Sequence, residues 1–222
     1  MTEPGAIMET AKETPPRPHP HPEPRLNRFL YWLGHTFFFT VYKLVWRLKI
    51  VGRENIPLEG PLILAANHAS WADPPVIGCS LPRPIYFMGK QELFDVPLFG
   101  GIIRRVNAFP VKRTEHDVGA FKTAQRLIIS GKAMIVFPEG KRQRTGKLAA
   151  AKAGVGMLAA KTNAPVVPVY VHNTYRLWSL PRLWVCFGAP LSAGGGKEYQ
   201  AFSDRVMKEI VRLKETHLGT TN

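Results

Sequence analysis

From residue 49 onward, short apolar runs alternate with stretches of helical periodicity, and this alternation constrains the fold more than any other feature. Runs of four to eight apolar residues bounded by turn signals read as buried strands. They are predicted at Leu62–Ala66, Ile85–Met88, Ala108–Val111, Ala133–Phe137, Val166–Val171 and Leu183–Phe187. Between them lie three amphipathic helices. One is predicted over Glu115–Ser130, with Thr114 as cap and Asp117 as the capping-box acid. Its inner face is Val118, Phe121, Ala124 and Ile128, and Gly131 closes it. The others cover Ala150–Lys161 and Glu198–Glu215, the last with Tyr199, Phe202, Val206, Ile210 and Leu213 on one face. Strands alternating with helices imply an α/β domain, here a central mixed sheet flanked by helices over residues 50–222.

The N-terminal part is different. Residues 1–25 hold six prolines between Pro15 and Pro24 and are expected to form a disordered tail. Residues 26–49 are aromatic and apolar, with Arg25, Arg28, Lys43, Arg47 and Lys49 near the ends. A spanning helix needs about 20 predominantly apolar residues, and this run is interrupted by His35, Thr36, Thr40 and Lys43. An amphipathic helix lying in a membrane interface is expected, because Trp and Tyr favour that boundary and cations favour anionic headgroups. No small-residue cleavage site follows it, so a secretory signal is not expected.

The chain carries 30 Lys+Arg against 16 Asp+Glu, a formal charge of +14. That balance calls for an anionic partner without choosing one. Nucleic acid is not expected, because the aromatics concentrate in the N-terminal stretch instead of interleaving with cations along the core. Cys79 and Cys186 lie in apolar surroundings and are expected as buried thiols. No Cys/His cluster has zinc spacing.

Two segments carry chemistry. Asn67-His68-Ala69-Ser70-Trp71-Ala72-Asp73-Pro74-Pro75 follows a strand, placing His68 at its C-terminal end. On one helix, a spacing of five separates side chains by about 140°. His68 and Asp73 can meet only if the chain turns between them, and Asp73-Pro74 marks such a turn. Two readings stay open on these residues alone. Asp73 caps a helix starting at Pro74, or it orients His68 as a general base. The second segment is Phe137-Pro138-Glu139-Gly140-Lys141-Arg142-Gln143-Arg144-Thr145-Gly146-Lys147. From Lys141 to Lys152 there are five cations and no acid. This is a phosphate cradle or a solvated basic loop.

Two further stretches are weaker. Lys90 to Gly100 leads through Arg104 and Arg105 to Phe109-Pro110-Val111-Lys112-Arg113, and Ala164–Val171 is a strand containing Pro168.

Together, in this order, the four segments resemble the glycerolipid acyltransferase family that includes the 1-acylglycerol-3-phosphate acyltransferases. Its first block, Asn-His-x-Ser-x-x-Asp, is matched by Asn67, His68, Ser70 and Asp73. Its third, Phe-Pro-Glu-Gly-Thr-Arg-Ser, is matched at Phe137, Pro138, Glu139, Gly140 and Arg142, with Lys141 and Gln143 departing from it. Arg113 ends the second block, where Lys112 replaces a common aspartate, and Pro168 belongs to the fourth. The likeness covers about residues 50–190.

The resemblance implies transfer of an acyl group from acyl-CoA or acyl carrier protein to the sn-2 hydroxyl of a lysophosphatidate, with His68 as base and Asp73 holding it. Arg113, Glu139, Gly140 and Arg142 would form the phosphate site. Lys90, Arg144 and Lys147 would help there or at the oxyanion. Neither metal nor cofactor is expected, and the chain is expected at a membrane, on the cytoplasmic face. The rival acceptors are a lyso-ornithine lipid, another lysophospholipid or glycerol-3-phosphate. A non-catalytic, basic lipid-binding protein is the rival from another class. A phosphate hydrolase is not expected without a visible metal cluster or nucleophile.

Overall fold

The computed structural model describes residues 28–105, 107–111 and 117–218. The predicted tail 1–25 lies outside them, as do Lys112, Arg113 and Thr114.

In chain order the elements are α1 (Arg28–Val45), β1 (Lys49–Val51), β2 (Leu62–Ala66), α2 (Asp73–Ser80), β3 (Ile85–Lys90), α3 (Gln91–Phe94), α4 (Phe99–Arg105), β4 (Ala108–Val111), α5 (Val118–Ile129), β5 (Ala133–Val136), α6 (Gly154–Thr162), β6 (Val166–His172), β7 (Trp184–Phe187) and α7 (Tyr199–Leu218). Among the described residues the strands form one sheet in the order β1-β7-β6-β2-β5-β3-β4. The β6–β7 pair is antiparallel and every other neighbouring pair is parallel. The sheet is therefore mixed, as the sequence predicts.

All five residues of β2 are buried, which fits a central strand covered on both faces. Ile63 and Ala65 point to a core shared with α5, α6 and α7. Leu62, Leu64 and Ala66 point to the opposite core, beneath α1 and α2. Each of the buried Leu and Ile side chains contributes about 1.5–3 kcal/mol. The strand that delivers His68 is thus packed on both faces.

Several boundaries differ from the sequence reading. β1 was not predicted separately, because three residues at the end of an aromatic stretch carry no periodic signal. Helix α5 starts later than expected. Asp117 is itself the N-cap, accepting from the Ala120 amide at 2.8 Å. The inner face of α5 accordingly centres on Ala120, Ala124, Leu127 and Ile128, and Val118 is exposed. Helix α6 starts at Gly154 rather than Ala150, because the amides of Ala149 and Lys152 are drawn to Glu139 and to the Pro138 carbonyl.

Helix α1 lies against α2. The Ile85 amide donates to the Tyr31 hydroxyl at 3.2 Å, and His35 Nε2 donates to the Leu81 carbonyl at 3.1 Å. Its other side exposes Phe29, Leu33, Phe37 and Leu44. Among the described residues no helix is long and apolar enough to cross a membrane. Cys79 and Cys186 are free and buried, as expected.

Candidate active site

The site forms where β2 and β5, neighbours in the sheet, release their chains at the same end. Asn67 fixes the exit of β2. Its Nδ2 donates to the Val171 carbonyl at 3.0 Å, and its Oδ1 accepts the Val171 amide at 2.7 Å. This side-chain pair continues the β2–β6 ladder one residue beyond the strand. His68 therefore starts from an anchored backbone.

The chain then turns sharply, as the five-residue spacing requires. Asp73 is fully buried, and its Oδ2 accepts from three donors: His68 Nδ1 at 2.8 Å, the Ala69 amide at 2.7 Å and the Ser70 amide at 2.8 Å. Asp73 is the first residue of α2, whose cap position is Ala72. Its carboxylate turns back to the preceding loop, so the helix-cap reading does not hold. The carboxylate on Nδ1 fixes the proton there and leaves Nε2 as the acceptor nitrogen. Nε2 makes no hydrogen bond among the described residues, and the His68 side chain remains 16% exposed. The Phe137 ring stacks on the imidazole with centroids 3.9 Å apart and planes at 16°. A ring held by one hydrogen bond and one stacking face can take a proton at a defined point.

The β5 exit supplies the other wall. Glu139 is buried, and its two oxygens accept the amides of His68 (3.0 Å) and Ala149 (3.2 Å). Burial pushes its carboxyl above the usual range, and the two amides pull the other way. Glu139 thus lies beneath the basic loop as a clamp between segments. The Gln143 amide donates to the His68 carbonyl at 2.7 Å and adds a second tie. Gly140 adopts φ 69°, and a Cβ there would come 3.0 Å from Lys152 Cδ. The side chain of Lys152 therefore packs against this turn.

Arg142 is half-buried, with its guanidinium 3.9 Å from the centroid of the Trp71 ring. This contact joins the two loops on the open side. Arg144 and Lys147 are exposed on the same loop. Lys90 ends β3, two strands from β2 and so about 10 Å away across the sheet. It pairs with Glu92 at 2.7 Å. Arg113 lies outside the described residues. The structure thus brings together His68, Asp73, Glu139, Gly140 and Arg142, and sets Lys90 to one side.

Sequence reasoning gave no part to Trp71, and treated Asn67 only as a letter in a motif. The signal for Asn67 was its place directly after a buried strand. Trp71 had none, since its partner lies 71 positions away.

The acyltransferase family model matches residues 47–172. The chain is 32% identical over 122 residues to the 1-acyl-sn-glycerol-3-phosphate acyltransferase of Bacillus subtilis, covering 54% of this chain and 60% of the relative. It is 31% identical over 135 residues to the chloroplastic enzyme BAT2 of Brassica napus, which bears the same enzyme name, covering 60% of this chain and 39% of the relative. The chain thus spans less than two thirds of the length of these curated relatives, 60% of one and 39% of the other. The crystal structure of the 1-acyl-sn-glycerophosphate (LPA) acyltransferase PlsC from Thermotoga maritima superposes with a TM-score of 0.72 at 26% identity, over 84% of this chain and 79% of that one.

Proposed function

The chain belongs to the acyltransferase family, and from that membership we propose that it transfers a fatty acyl group from a thioester to the sn-2 hydroxyl of 1-acylglycerol-3-phosphate, forming phosphatidate. The observation that carries this reading is the His68–Asp73 pair at 2.8 Å, with Nε2 open beside the basic loop of Lys141–Lys147. The names of the Bacillus and Brassica relatives and of the Thermotoga structure support the acceptor.

His68 Nε2 takes the proton of the acceptor hydroxyl as its oxygen attacks the thioester carbonyl carbon. Asp73 holds the ring and stabilises the imidazolium. The tetrahedral oxyanion collapses, the C–S bond breaks, and the leaving thiolate recovers the proton from His68. No acyl-enzyme is needed. Arg142, steadied against Trp71, binds the acceptor phosphate, with Arg113, Arg144 and Lys147 as further cations and the Gly140 turn shaping the loop. Glu139 serves this site from below, by fixing both loops. Lys90, engaged with Glu92, is a weaker candidate for the oxyanion than a backbone amide of the Gly140 turn.

The donor is acyl-CoA or an acyl carrier protein. Helix α1, with its apolar outer side, places the domain on a bilayer from which an amphiphilic acceptor arrives laterally. The side is the cytoplasmic one, where such thioesters are made.

A transfer assay in detergent micelles tests the proposal. Labelled acyl-CoA and acyl carrier protein donors are each offered with lysophosphatidate, lysophosphatidylcholine or glycerol-3-phosphate. Phosphatidate is the expected product. Acylation of one of the other acceptors alone would overturn the acceptor assignment.

A further inference from the structure

A strongly basic groove lies apart from the His68 loop, at the junction of α1, β1 and the start of β7. Lys43, Arg47, Lys49, Arg53 and Arg182 line it, and no acidic side chain does. Four of these cations make contacts within the fold: Lys43 Nζ donates to the Leu48 carbonyl at 3.4 Å, and the Arg182 guanidinium lies 5.6 Å from the centroid of the Trp184 ring. Lys49 Nζ sits 4.2 Å from the centroid of the Trp184 ring, and Arg47 donates to the Leu180 carbonyl at 3.4 Å.

Beside the groove, the 3-10 turn Thr174–Ser179 and the following Leu180 leave the sheet after β6. This segment is stapled to the end of α1. Trp46 Nε1 donates to the Leu177 carbonyl at 3.0 Å, and the Leu183 amide donates to the Trp46 carbonyl at 3.0 Å. At its tip Trp178 is 100% exposed and Leu180 is 52% exposed. Leu44 and Val45 at the end of α1 are exposed as well.

The sheet sets the direction of this face. Lys49 pairs with Trp184, and Trp184 pairs with His172 at the end of β6. Strand β6 runs parallel to β2. The groove therefore opens at the same end of the sheet as His68.

We propose that this face is a docking site for anionic phospholipid: the five cations hold headgroup phosphates while Trp178 and Leu180 enter the bilayer interface. Two features select a lipid surface over an acidic protein. A wholly exposed Trp with aliphatic neighbours suits the headgroup boundary. Cations beside that apolar tip, with Arg47 bonded to the Leu180 carbonyl, suit lipid phosphates. The turn is a second foot beyond α1, and it leaves the sheet at the active-site end. This deepens the proposed function by naming a lipid class and a contact. It is read by binding alone, so either idea can fail without the other.

The test is co-sedimentation of the full chain with phosphatidylcholine vesicles, with and without phosphatidylglycerol. Wild type is expected to prefer the anionic vesicles. Each surface cation strengthens such binding by about fivefold at low salt, so Arg47→Gln with Arg182→Gln should weaken it on the order of 25-fold. The loss should shrink as salt rises. Replacing both arginines by lysine should restore binding. Trp178→Ser should weaken binding to both vesicle types. The proposal falls if wild type shows no anionic preference, or if the glutamine pair and Trp178→Ser bind as wild type does. It also falls if the glutamine pair loses only affinity for acyl carrier protein, which would make the groove a protein-docking site.

Discussion

Glu139 Oε1 accepts the backbone amide of His68 at 3.0 Å, so the loop after β5 holds the loop after β2 directly at the reacting residue. The second oxygen takes the Ala149 amide, and the carboxylate spans three chain segments from a buried position. Its part is to set where His68 stands.

Glu139→Gln should therefore harm both fold and rate. A carboxamide has one acceptor oxygen and turns an NH2 toward the other amide. One buried N–H is left without a partner, which costs about 1–3 kcal/mol. Denaturant melts should show that loss. The transfer assay should show kcat falling with little change in the KM for the acceptor.

Asp73→Asn separates orientation from charge. The amide oxygen can accept the same three donors, while its NH2 takes the buried, partnerless place of Oδ1 at a cost of about 1–3 kcal/mol, so the chain still folds with a lowered melting point. It cannot stabilise the imidazolium as a carboxylate does. The rate should fall by about 10²–10⁴-fold, with the circular dichroism spectrum retained. A rate near wild type would leave Asp73 a purely structural part.

Trp71→Ala should raise the KM for the acceptor more than it lowers kcat. The guanidinium of Arg142 loses its aromatic face, a contact worth about 0.5–1 kcal/mol at an exposed site. That corresponds to about two- to fivefold in KM. Trp71→Phe should recover part of it. Steady-state kinetics over a range of lysophosphatidate concentrations separates the two parameters.

The docking of α1 should weaken in acid. Burial lowers the pKa of His35 below its ordinary value of 6.5, and it does the same to His172 and His217. A group depressed in the folded state contributes stability that is complete above the unfolded pKa and is lost as pH falls through the folded one. Thermal midpoints should hold from pH 8 to about 6.5 and decline below it. In His35→Gln the decline should be smaller.

Much of the fold was legible because buried strands announce themselves as apolar runs. β2 through β7 appear close to where their composition puts them, whereas the three residues of β1 were too few to show a period. The start of α5 was misplaced because Asp117 could be read as the acid of a capping box, while its geometry makes it the cap. In the site, the His68–Asp73 turn could be read from a spacing and a proline, both local. The clamp by Glu139, the Asn67 extension of the ladder and the Trp71–Arg142 stack could not. Their partners are backbone amides, carbonyls or rings 71 or more positions away, which only the assembled sheet brings near.

The central claim is that His68 removes the proton of the acceptor hydroxyl. The most direct test compares wild type with His68→Ala in the lysophosphatidate transfer assay, at matched thermal midpoints and with saturating acyl donor. The account predicts that kcat falls by about 10²–10⁴-fold while acceptor binding persists. Full transfer activity in His68→Ala would contradict it.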